Sequence, residues 1–125
     1  MELGLVTVVV ADYDEAIRWY TAALGLTLRE DVDMGGGKRW VVVGPAGGGT
    51  GLLLARGATP DQRSRIGDHT GGRVGFFLHS TDFAADHRMR AAGVRFAEPP
   101  RHESYGTVAV FTDPYGNRWD RIEPA

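Results

Sequence analysis

ADYDEAIRWYTAALG, residues 11–25, has a counterpart in TDFAADHRMRAAG, residues 81–93. In the first stretch Asp12 stands as an N-cap with Glu15 three residues on, the spacing of a capping box. Ala16, Tyr20, Ala23 and Leu24 then recur at helical spacing, and Gly25 stands where a helix commonly ends. In the second stretch Thr81 or Asp82 is the expected cap and Gly93 the stop. The two closing glycines are 68 residues apart, and the same offset relates Asp14 to Asp82, Val43 to Phe111 and Gly48 to Gly116. A register kept without gaps over that distance marks a duplicated unit, since unrelated segments would need insertions.

Short strands surround each helix. LVTVVV (5–10) is an apolar, β-branched run too short for a helix, and LTLREDV, KRWVVVG and TGLLLA follow the first helix between glycine-rich turns. RVGFFL (73–78) precedes the second helix, and VRFAE, TVAVF and NRWDRIE follow it. The predicted fold class is α+β: two βαβββ modules forming a curved, partly closed mixed sheet around a cavity, each with its helix on the convex side. Module 1 covers about residues 3–57, a polar, glycine-flanked linker 58–71, and module 2 about 72–123, in a single domain spanning 1–125.

Bulk composition narrows the function classes. The chain has 125 residues, a net charge of −2 and no cysteine. That is enough for one real core, it leaves no electrostatic footprint for nucleic acid, and it excludes disulfides and thiolate metal sites. Glu2, Asp12, Asp14 and Glu15 stand in place of a basic leader region, and no apolar run approaches the ~20 residues of a membrane span. The expectation is a cytoplasmic protein without nucleic-acid or membrane partners. The glycine-rich stretches MGGGK and GPAGGGTG lack the Gly-Lys-Ser/Thr ending and following helix of a phosphate loop, and read as hairpin turns.

VADYDEAIRWYTAALGL, PPRHESYGTVAVF and DPYGNRW together resemble the glyoxalase, bleomycin-resistance and extradiol-dioxygenase superfamily, also called vicinal oxygen chelate, from about residue 3 to 123. Metal-dependent members of that family place His or Glu at four cavity-facing positions. Those positions map here onto Leu5, Leu52, Arg73 and Asp120. Leucine has no lone pair to give, and a guanidinium is a permanent cation. One carboxylate remains where a metal site draws several protein ligands. The reading is therefore of no resident metal and no cofactor.

Arg73 and Asp120 are expected to stand close together, as an ion pair in place of the metal. Two roles stay open for that pair: fixing strand register, or meeting a polar group of a ligand. Alternation turns Leu5, Thr7 and Val9, and Gly75, Phe77 and His79, toward the cavity, with Val6, Val8, Val10, Val74, Phe76 and Leu78 under the helices. Trp40 and Tyr105 are placed near the mouth, Trp40 either stacking on a ligand or simply packing. His79 and His102 are the candidate general bases; His69 and His87 read as solvated, and Tyr20 as a packing residue.

The resemblance implies a metal-independent small-molecule-binding protein of the bleomycin-resistance type. An apolar wall with one ion pair suits a small aromatic or amphipathic compound, met by Leu5, Thr7, Trp40, Leu52, Arg73, Phe77, Tyr105 and Asp120. The resemblance also implies a homodimer. Two alternatives stand beside this reading: a glyoxalase-like lyase or isomerase working by acid–base chemistry, and an interaction module whose cavity is filled by its own side chains.

Overall fold

A computed structural model of the chain describes residues 1–81 and 83–125, the side chains at 83, 84 and 86 excepted. The chain forms two units, Met1–Ile66 and Gly67–Ala125, each built on a four-stranded sheet.

In the first unit the apolar run becomes β1 (Leu5–Val10), followed by α1 (Tyr13–Ala22), β2 (Thr27–Gly35), β3 (Lys38–Gly44) and β4 (Gly51–Arg56). The strand order is β1-β4-β3-β2, with β1 and β4 parallel and the remaining pairs antiparallel. Asp12 caps α1 as its sequence suggests, its Oδ1 accepting the Glu15 N–H at 2.8 Å. The helix lays Ala16, Tyr20 and Ala23 on the sheet, all fully or almost fully buried along with Val8, Val10, Val41, Val43 and Leu54. Those strand residues share one face, and in β1 that is why Val8 and Val10 are fully buried while Val9 between them is not. Arg29 clasps the β3–β4 turn by donating to the carbonyls of Pro45 and Gly49, each at 2.7 Å.

The linker is not wholly irregular. Residues Pro60–Ser64 form a short helix, α2, capped by the Thr59 hydroxyl, which accepts the Gln62 N–H at 3.1 Å. Thr59-Pro60-Asp61-Gln62 has the Ser/Thr-x-x-Glu/Gln spacing with proline at the first helical position, a signal that was legible and overlooked.

The second unit holds β5 (Phe76–His79), α3 (Phe83–Ala91), β6 (Arg101–Glu103), β7 (Gly106–Thr112) and β8 (Arg118–Pro124), in the order β5-β8-β7-β6 with β5 and β8 parallel. Both sheets are mixed and neither is closed, in keeping with two βαβββ modules. The cap expected at Thr81 or Asp82 involves a residue outside the described set. Phe76, Trp119 and Phe111 stack across β5, β8 and β7 at centroid distances of 4.6 and 5.9 Å, and Phe96 meets Phe111 edge-on at 5.9 Å. Such aromatic pairs add about 0.5–1.5 kcal/mol each beyond the area they bury.

Two expected strands are displaced. VRFAE contributes only an isolated bridge, Phe96 to Phe111, and Pro99 and Pro100, which follow it, cannot continue a ladder; Arg101–Glu103, beyond them, makes the hairpin with β7 instead. RVGFFL enters the sheet at Phe76, later than expected, and Arg73 is left outside it.

The DPYGN turn that opens β8 is held by one carboxylate. Asp113 is buried; its Oδ1 accepts the N–H groups of Tyr115 and Asn117, both at 2.9 Å, and its Oδ2 accepts Asn117 Nδ2 at 2.6 Å. Bonds to an ionised acceptor are the stronger class. Asp113→Ala is expected to lower stability by about 3 kcal/mol, and Asp113→Asn by less, as read by urea unfolding.

Candidate functional site

In β1–β4 the parallel register sets Leu5 opposite Gly51, Thr7 opposite Leu53 and Val9 opposite Ala55. These residues share the face turned away from α1. β3 and β4 form ladder pairs at Val42–Leu53 and Val43–Leu52, and among the described residues the ladder is not continued toward Lys38 and Arg56. The strands fork there. A pocket of about 500 Å³ lies in the fork, floored by Thr7, Val9, Leu53 and Ala55 and walled by Trp40. Its rim carries Tyr13, Lys38, Arg39, Arg56 and Gln62. The Trp40 indole N–H is given to Glu30 at 3.1 Å, which fixes the ring against the pocket.

Arg39 organises the rim. It donates through Nε and Nη2 to Asp31 at 3.1 and 2.8 Å and through Nη1 to Asp14 at 2.9 Å, joining α1, β2 and β3. These bonds hold the Asp31 carboxyl below the usual carboxylate range and raise the pKa of Arg39. The Arg39 and Arg56 guanidinium centres both approach the Tyr13 ring, at 5.2 and 5.5 Å from its centroid.

Leu52 does not belong to this wall. It pairs with Val6 and Val43 and so lies on the face of the buried Val8 and Leu54. The 68-residue offset fails along the last strand. Val9 and Phe77, which do match at that offset, pair with Ala55 and Asp120 respectively, while Val42 and Val110 pair with Leu53 and Asp120. Either route relates Asp120 to an odd-numbered residue of β4, and a one-residue slip reverses the face. Leu53, missed from the sequence, takes the place assigned to Leu52.

In the second unit Asp120 sits beside Phe77 on β5 and Val110 on β7. Phe77 is 60% exposed on that face, whereas Asp120 is only 8% exposed. The pairing of Arg73 with Asp120 is not found. Arg73 is exposed ahead of β5, its carbonyl accepts the Thr70 hydroxyl at 2.6 Å, and no ion pair joins it to Asp120 among the described residues. Being outside the strand, it is not aimed by the ladder that positions Asp120. The cation acting on Asp120 is Arg101, missed because the segment after the two prolines did not read as a strand; its own charge is tied to Glu98 at 2.9 Å.

His79 is exposed at the end of β5, opposite Ile122. His102 is exposed on β6 with Nδ1 3.1 Å from the Thr107 hydroxyl. Tyr105 is exposed in the β6–β7 turn. Among the described residues, no three His, Asp or Glu side chains gather into a metal-binding group, and no helix is long and apolar enough to cross a membrane.

Asp120 carries an Oδ1 that is buried and has no hydrogen-bond partner among the described residues. Burial pushes its carboxyl upward, Arg101 opposes that, and Glu98 adds to it. The folded protein thus holds this proton more tightly than the unfolded chain. The ionised form disfavours folding at neutral pH, and the penalty fades as pH falls. Asp120→Asn is expected to raise Tm by a few degrees at pH 7, with the gain disappearing below about pH 4, as read by thermal melts across pH.

Residues 2–120 match the family model of the glyoxalase/bleomycin resistance protein/dioxygenase superfamily. An uncharacterized protein of Shewanella frigidimarina (strain NCIMB 400) is 49% identical over 121 residues, covering 94% of this chain and 90% of its own. The crystal structure of TnmS3, an antibiotic binding protein from Streptomyces sp. CB03234, has a TM-score of 0.80 at 28% identity, over 100% of this chain and 97% of that one. A superfamily member from Sphaerobacter thermophilus DSM 20745 reaches a TM-score of 0.81 at 28% identity, over 98% and 97% of the two chains. With the two βαβββ modules in place and the match spanning nearly the whole sequence, the chain belongs to the glyoxalase/bleomycin resistance protein/dioxygenase superfamily.

Proposed function

We propose that this protein binds a small aromatic or amphipathic compound in the pocket of its first unit, without a resident metal. The observation that carries the reading is the pocket itself. Its volume of about 500 Å³ falls within the roughly 300–1,000 Å³ typical of small-molecule sites. Its largely aliphatic floor and single large aromatic wall suit a flat apolar body, with the charged side chains at the rim. The likeness to an antibiotic binding protein supports the same reading. An interaction module would fill this space with its own side chains; here it is open. Binding rather than acid–base chemistry is favoured because no His, Asp or Glu is among the lining residues. The homodimer and the cytoplasmic setting are proposed on the family likeness and the balanced charge.

The metal-free part rests on donor chemistry. Leu5 and Ala55 or Leu53 stand in the first unit where a metal-dependent relative would need donors, and Asp120 stands beside Phe77 and Val110, with no metal-binding group of three His, Asp or Glu side chains among the described residues. Such a set does not fit a divalent cation. Protein purified without chelators and then exposed to nickel, zinc, manganese and iron is expected to hold well under one ion per chain by elemental analysis. One tightly held ion per chain overturns this part of the reading.

A thermal-shift screen of small aromatic compounds is expected to give stabilising hits on the wild type. Ala55→Phe, which adds a ring on the pocket floor, is expected to abolish them. Hits that persist undiminished in Ala55→Phe, or a screen without hits, count against the pocket as the binding site.

A further inference from the structure

We infer that the pocket of the first unit selects ligands bearing an anionic group, a carboxylate or similar oxyanion, held by Arg56 and Lys38 while the apolar body lies along Val9, Leu53 and Ala55. The inference rests on the pocket being the binding site, and deepens it by naming the charge class of the ligand.

The argument is a charge balance around the rim. Three cations line the pocket, Lys38, Arg39 and Arg56, and no acid does. Arg39 is already matched, by Asp14 at 2.9 Å and Asp31 at 2.8 Å. Asp31 belongs, with Asp33, to a separate hollow along the β2–β3 hairpin that shares Arg39 with the pocket. Asp14, Asp31 and Asp33 are therefore committed to Arg39 or to that hollow, and Glu30 accepts the Trp40 indole N–H at 3.1 Å. Neither Arg56 nor Lys38 has a carboxylate within 4 Å among the described residues.

Arg56 is also held in place. Its guanidinium centre lies 5.5 Å from the Tyr13 ring centroid, and one terminal nitrogen is 3.2 Å from where a Cβ would stand at Gly37. The ring face satisfies part of its charge but accepts no in-plane hydrogen bond, so the fork of N–H donors stays available for an oxyanion. Gln62 lines the same rim; its Oε1 is spent on the Ala58 N–H at 2.8 Å, which leaves the amide donors as its remaining polar function. With the Thr7 hydroxyl on the floor, the pocket offers a set of donors around an apolar trough. A neutral compound would leave Lys38 and Arg56 to water alone, both being exposed, and a cationic one would be repelled.

The test compares two probes of one shape, 2-naphthoate and 2-naphthamide, by isothermal titration calorimetry at low ionic strength. The wild type is expected to bind the naphthoate about tenfold or more tighter than the amide. The Lys38→Gln/Arg56→Gln double variant is expected to bring that ratio near one, and Arg56→Lys to retain part of it. Raising the salt should narrow the ratio in the wild type. Equal wild-type affinities, or a ratio that survives in the double variant, overturn the anion inference and leave the pocket reading standing. Failure of both probes to bind at millimolar concentration overturns the pocket reading, and the inference with it.

Discussion

The parallel ladder between β1 and β4 decides, residue by residue, what the first unit buries and what it presents. Val8 and Leu54, paired across it, go under α1, and Thr7 with Leu53 and Val9 with Ala55 go to the other side. Because β3 joins this ladder over two pairs alone, the sheet keeps its order at one end and opens at the other. The pocket is the result of that opening. It needs no excavated core and no strained backbone, only two neighbouring strands that part company beyond Val42 and Leu53.

The two units handle buried or crowded charge in opposite ways. In the first, Arg39 gives three N–H bonds to two carboxylates and lays its guanidinium near a tyrosine ring, so that α1 is tied to β2 and β3 through one side chain. Exposed pairs of this kind contribute little stability apiece, and their effect lies in orientation. In the second, Asp113 is fully engaged in its turn whereas Asp120, seven residues on, has one buried oxygen without a donor among the described residues. Two carboxylates in one hairpin thus have contrary roles: one builds the turn that delivers β8, the other is what the turn delivers.

Much of this was legible in the sequence. The α1 cap, the buried stripe of Ala16, Tyr20 and Ala23, the duplicated module and the glycine turns all rest on local patterns that the fold leaves intact. The face of β4 was not legible, for a physical reason. Leu52, Leu53 and Leu54 are apolar in succession, so no alternation of character sets their phase, and an offset taken from the helices carried no information about it. The same limit applied to the partner of Asp120. Arg101 approaches from a strand shortened by two prolines, and nothing in the spacing linked it to β8.

The turn before β4 has a consequence for how such a protein can diversify. The backbone at Gly47, Gly48 and Gly49 faces open space, and the turn is fastened at its ends, by Arg29 donating to the carbonyls at 45 and 49 and by the Thr50 hydroxyl donating to the Leu3 carbonyl. An insertion or deletion there is taken up within the turn, because a one-residue slip of β4 against β1 would carry Leu54 out of the core and Leu53 into it. Lineages differing in the length of that turn would keep the same residues along the trough, so that change in its lining falls to substitution at positions such as Leu53 and Ala55.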